Sequence, residues 1–218
     1  MGFIIRPDLP LSHGYDFTTG ASKYDDTRVR TYLALAMGKS RDPYFGPYLI
    51  EASKTDTDLT NRIAAIKSLG MLKYNEGCSV LNNIILNSEF DSERLSAIIS
   101  LGVIGNKKYN KVLIKMLDYE EPNIRWDAAI ALAKMGDKSG IDTILSLLDR
   151  KYYDSYPSMK NGAGISMEEA DNSIYTAIAI TQILIDSRFK NKLIYLSEND
   201  KNVKIRELAL KTLNDYYK

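Results

Sequence analysis

The chain has 218 residues, with 29 basic and 28 acidic side chains and a formal net charge of +1. No strong field of one sign exists to recruit DNA or an anionic membrane, so nucleic-acid binding is disfavoured. A single cysteine, Cys78, excludes an internal disulfide and a cysteine-based zinc site within one chain, and no apolar run is long enough to cross a bilayer.

Residues 1–25 contain Pro7, Pro10, Gly14 and Gly20 without helical periodicity, and read as an extended lead-in. Phe3, Ile4, Ile5, Leu9, Leu11, Tyr15 and Phe17 give this segment the means to cap the apolar edge of the first repeat. The N-terminus has no basic leader joined to a long apolar stretch, so the compartment defaults to the cytoplasm, with an exported protein whose signal has been removed left open.

From residue 26 onward an arginine returns at Arg30, Arg62, Arg94, Arg125 and Arg206, with spacings of 32, 32, 31 and 81. Ile174 stands inside the last interval and divides it into 49 and 32. Three residues after each arginine stands a small or apolar residue (Leu33, Ala65, Ala97, Ala128, Ala209), and seven after it an apolar one (Met37, Leu69, Leu101, Leu132, Leu213). A repeat of about 32 residues marks a solenoid of stacked helical hairpins.

The unit is clearest over residues 121–149. Glu121-Pro122-Asn123 opens a helix with apolar positions at Ile124, Ala128, Ala131 and Leu132, and Gly136 suits a left-handed stop. Asp137 and Ser139 then cap a second helix carrying Ile141, Ile144, Leu145 and Leu148. The pattern recurs over 91–118, where Leu101-Gly102-Val103-Ile104-Gly105-Asn106 marks the turn, over 58–87 around Leu69-Gly70 and, more loosely, over 26–53 around Met37-Gly38. A fifth unit spans about 172–197, and a sixth begins at Asp200 and ends after one helix.

An acidic residue, an arginine, two small residues, Leu-Gly, Ile-Gly-Asp and a Leu-rich second helix together resemble HEAT repeats, in the short variety of the phycobilisome lyase subunits. The resemblance covers about residues 26–214. It implies an all-α, right-handed α-solenoid of about five helical hairpins plus a terminal half-repeat, with second helices lining a concave, armadillo-like surface.

Between the fourth and fifth units about 17 extra residues enter near 150–168, including Tyr152, Tyr153, Tyr156, Pro157, Met159, Gly162 and Gly164. Tyrosines in a projecting loop offer contact area with a polar tip. They also suit a segment that folds back over its own seam, and both readings stand.

Chemistry-bearing residues are sparse. His13 is the lone histidine and lies in the lead-in, so neither a histidine-based metal centre nor a histidine triad is expected. That sets the chain apart from the HEAT-like deoxyhypusine hydroxylases and their di-iron site. Trp126 fits inter-repeat packing better than stacking on a damaged nucleotide, as in HEAT-like DNA glycosylases. Cys78 reads as a small buried residue at a helix start.

The arginines at 30, 62, 94, 125 and 206 are expected to brace the repeats, with a weaker polar rung at Ile174. The expected function is a non-catalytic scaffold, without cofactor or metal, for a protein or peptide partner. Expected contacts are Tyr152, Tyr153, Tyr156 and Met159 in the insertion and Asn83, Lys115 and Tyr195 on the second helices. The alternative, implied by the resemblance, is a lyase-associated solenoid that holds a chromophore or small molecule. HEAT-like nucleic-acid binding is a second alternative.

Overall fold

The computed structural model describes residues 15–16, 21–22, 27–154 and 165–218. His13, Tyr156 and Met159 lie outside the described residues. In the lead-in, Tyr15–Asp16 pairs antiparallel with Ala21–Ser22 in the register Tyr15↔Ser22 and Asp16↔Ala21 (β1 and β2). The remaining regular structure among the described residues is helical, and the fold is an all-α solenoid. It divides into two compact units, residues 1–104 and 105–218.

The helices keep step with the repeat. α1 (Thr27–Ser40) and α2 (Gly46–Thr55) form the first hairpin and α3 (Leu59–Leu72) and α4 (Cys78–Asn87) the second. α5 (Asp91–Ile104) precedes α6 (Asn110–Met116), and α7 (Pro122–Lys134) precedes α8 (Ile141–Leu147). A short α9 (Arg150–Asp154) opens the insertion, which thus starts as helix. α10 (Met167–Ile183), α11 (Arg188–Asn199) and α12 (Val203–Tyr216) complete the chain. In the N-terminal unit α1 packs on α3 and α3 on α5, burying Ala65, Ile66, Leu69, Ala97, Ile98 and Leu101.

The first four hairpin turns are built the same way. A left-handed residue ends the first helix at Arg41 (φ 60°), Lys73 (φ 52°), Gly105 (φ 79°) and Gly136 (φ 75°), in step with the arginine spacing. At Lys73 the amide of Tyr74 reaches back to the Leu69 carbonyl (3.1 Å) and that of Lys73 to Gly70 (3.0 Å), which satisfies carbonyls that a helix end leaves open. At three of these turns a side chain caps the one-turn 3-10 segment beyond it: Asp42 accepts from the Tyr44 amide, Asn106 from Lys108 and Asp137 from Ser139.

Gly38 and Gly70, expected at turns, lie inside α1 and α3 instead. A Cβ on Gly70 would come within 2.7 Å of Ser100 Oγ and 2.9 Å of Ser100 Cα, and one on Gly38 within 2.8 Å of Ser68 Cα. These glycines let successive first helices approach closely. Ser100 uses the proximity, donating to the Ile66 carbonyl at 2.9 Å.

The two kinds of position respond oppositely to substitution. Gly70→Ala is expected to destabilise by about 1–3 kcal/mol, because backbone stands where the methyl must go. Lys73→Gly is expected to stabilise by about 1 kcal/mol through relief of the left-handed conformation. Urea unfolding of the two variants beside the parent checks both signs.

Candidate functional site

Each described arginine of the series from Arg62 onward donates to the carbonyl six residues before it. Arg62 reaches Asp56 O (3.0 Å), Arg125 reaches Tyr119 O (2.6 Å), Arg206 reaches Asp200 O (2.5 Å) and Arg94 reaches Ser88 O. These carbonyls lie in the extended link between one hairpin and the next, where the chain turns and no helix can satisfy them. Two arginines also reach sideways. Arg30 forks onto Asp56 at 3.0 and 3.3 Å, and Arg62 Nε donates to Glu93 Oε1 at 2.5 Å.

The expected weak rung at Ile174 does not occur. Ile174 is fully buried, and Arg150 at the start of α9 supplies a guanidinium in its stead. Arg150 donates to both oxygens of Asp200 (2.9 and 2.8 Å) and to Asp171 (2.7 Å), three residues before Ile174 on the same helix. Asp200 is 5% exposed, so loss of its partner would strand a buried carboxylate. Arg150→Met is therefore expected to destabilise by about 3 kcal/mol. The double variant with Asp200→Leu should recover most of that loss in the same denaturation experiment.

The tyrosines that begin the insertion turn inward. Tyr153 is 5% exposed, its hydroxyl donates to the Leu147 carbonyl at 2.8 Å, and burial pushes its pKa up. Trp126 Nε1 donates to Tyr152 Oη at 3.2 Å, and the Trp126, Tyr152 and Tyr153 rings lie 5.6–6.2 Å apart in tilted or edge-on contact. Tyr153 thus belongs to the core of the C-terminal unit and is corrected from a surface anchor. Tyr152 is half-buried beside it, and Trp126 is a packing residue. Lys115 on α6 and Tyr195 on α11 are exposed.

Asn83 lines a cleft of about 230 Å³ between the C-terminal halves of α2 and α4 in the N-terminal unit. Val80 and Ile84 form an apolar wall, Lys54, Asn87 and Ser88 contribute polar groups, and Arg62 and Glu93 line it from α3 and α5. Ser88 Oγ donates to the second Glu93 oxygen at 2.6 Å, so both oxygens of that carboxylate accept a hydrogen bond. The Arg62 guanidinium lies 5.7 Å from the Phe90 ring centroid. Sequence reasoning found Asn83 and Arg62 but missed Lys54 and Asn87. Asn87 lies one helical turn beyond Asn83 on α4, so for it the signal was an i+4 extension of that position.

Among the described residues no group of three or more His, Cys, Asp or Glu side chains is placed to hold a metal, and no helix is long and apolar enough to cross a membrane.

Asp127 on α7 is half-buried, and burial raises its pKa to about 6 against the lowering effect of Lys134. Its charged form is disfavoured in the folded chain, so the folded state loses stability as pH rises from about 4 to about 6. Asp186 and Asp149 act in the opposite sense. Hydrogen bonds from Arg188 and Lys192 respectively hold their carboxyls below the usual range, so their contributions disappear only as pH falls through the acid region. Asp127→Asn is expected to raise stability at pH 7 and to lose that advantage towards pH 4, as thermal melts at the two pH values would read.

Comparison with known proteins places this geometry. Residues 79–156 match the family described as HEAT repeats. No curated protein matches the sequence. Among solved structures the chain is similar to the complex of CpcE and CpcF of phycocyanin lyase from Nostoc sp. PCC7120, at 19% identity and a TM-score of 0.56, over 95% of this chain and 80% of that one. Residues 79–156 thus carry HEAT repeats, and the chain as a whole shares the fold of that complex. The likeness overturns the expectation of a non-enzyme: a complex named as a lyase has this fold, so the missing histidine, metal and nucleophile patterns are no ground for that exclusion.

Proposed function

We propose that this chain is a subunit of a lyase-type assembly, in which the HEAT-repeat solenoid holds a chromophore or similar small molecule and works against a protein partner. The observation that carries the reading is the likeness to the phycocyanin lyase complex, which extends over 95% of the chain and is not confined to a few repeats. A repeat scaffold suits such work, because second helices can present unlike side chains at nearly fixed spacing while the first helices hold the register.

The protein partner is supported by the same likeness, since the similar structure is itself a complex of two subunits. In the C-terminal unit, Ile114 and Lys115 on α6 and Ile194 and Tyr195 on α11 are exposed apolar or long side chains on second helices, and are the candidate contacts. Tyr152 reaches a partner only at its half-buried edge.

The chain, tagged and recovered from an extract of its source, is examined by native mass spectrometry and by visible and ultraviolet absorbance. Retention of a small molecule at about one per chain, with a captured protein partner that acquires the same mass covalently only when the chain is present, is the expected outcome. Recovery of a partner with no small molecule on either protein, at any stage, would end the lyase-type reading.

A further inference from the structure

The cleft between α2 and α4 holds more hydrogen-bond donors than its own residues use. Arg62 spends Nε on Glu93 and one terminal nitrogen on the carbonyls of Asp56 and Thr57, leaving its other terminal nitrogen uncommitted among the described residues. Lys54 is exposed at the end of α2 and has no ion-pair partner among the described residues. Asn87 donates to the Asn83 carbonyl oxygen at 2.7 Å, which leaves the Asn83 amide hydrogens open. Among the described residues Glu93 is the one carboxylate in the lining, and it is already shared between Arg62 and Ser88. The cleft therefore has a surplus of one positive charge and of N–H donors.

The opposing field is small. The C-terminal ends of α2 and α4 bring partial negative charge towards the cleft. Carbonyls at these ends are engaged, however: Ala52 by the Asp56 amide (3.2 Å), Ile84 by the Ser88 amide (3.0 Å) and Ile85 by Arg94 (2.9 Å). These ends still present carbonyls and not the amide nest that a multiply charged phosphate needs, so the surplus suits a monoanion. Val80 and Ile84 add an apolar wall, and a volume of about 230 Å³ admits a small ligand or one arm of a larger one.

We propose that this cleft is a carboxylate-binding site, in which Lys54 and the open edge of Arg62 hold the carboxylate of a small amphipathic organic acid while Val80 and Ile84 cover its apolar part. The proposal rests on the reading that the solenoid holds a small molecule, and locates where its acidic group would sit. Arg62 serves twice on this account, as a brace towards Glu93 and as a ligand contact on its free edge.

The test uses the full chain and 2-naphthylacetate, with the neutral 2-naphthylacetamide as control. Binding is monitored by ligand fluorescence and by the side-chain amide NMR signals of Asn83 and Asn87. The acid should shift both asparagine signals and bind at least about tenfold more tightly than the amide. Lys54→Glu, at an exposed position, should weaken the acid by at least about tenfold while leaving the amide unchanged. Equal affinity for acid and amide, an unaltered affinity in Lys54→Glu, shifts confined to residues outside the cleft, or displacement of the acid by an equimolar amount of inorganic phosphate would each overturn the site. A natural small molecule retained by the chain while the naphthyl acid fails to bind would remove this site and leave the lyase-type reading standing. Binding of the acid without any natural ligand would do the reverse.

Discussion

The link between one helical hairpin and the next must reverse the chain beside a dry stack, and its carbonyls have no helix to bond to. In four of the repeats a guanidinium resolves this by reaching back six residues, from Arg62 to Asp56, from Arg94 to Ser88, from Arg125 to Tyr119 and from Arg206 to Asp200. A planar, permanently charged fork with several donors is suited to the task in a way that lysine is not. Each of these contacts holds the link from which the next first helix starts.

Much of the repeat was legible from residue spacing because it is imposed by local chemistry. The arginine interval, Pro122 at the start of α7 and Gly136 at its end all state backbone requirements that the sequence must meet. Gly38 and Gly70 were misread because a glycine needed for close helix approach and one needed for a left-handed turn look alike in one dimension. Where Lys73 and Arg41 hold the left-handed position themselves, no glycine marks the turn. The cleft was only half visible for a related reason. Asn83 was reachable by counting along one helix, whereas its place opposite Lys54 depends on how α2 and α4 stack.

The expectation of a non-enzyme came from searching for side chains that perform chemistry by themselves. The likeness to a phycocyanin lyase complex shows the limit of that search. A solenoid can take part in a reaction by positioning, through proximity and exclusion of water, with groups such as arginine, lysine and asparagine that leave no catalytic signature. Such side chains are indistinguishable in sequence from an ordinary solvated face, and only their convergence in space separates them.

Arg150 ties the inserted segment into the stack that it interrupts. The residue that restores the missing polar contact lies at the segment's own beginning, and the far end is fixed by the Ser166–Glu169 capping box at the start of α10. The meeting of α10 with α12 is therefore secured at the two ends of the insertion, by Arg150 on Asp171 and Asp200 and by the Ser166 cap, while Ile165 packs on the core beside them. In engineering terms Arg150, Tyr153, Ile165 and Ser166 are the residues that a redesign of the insertion has to keep.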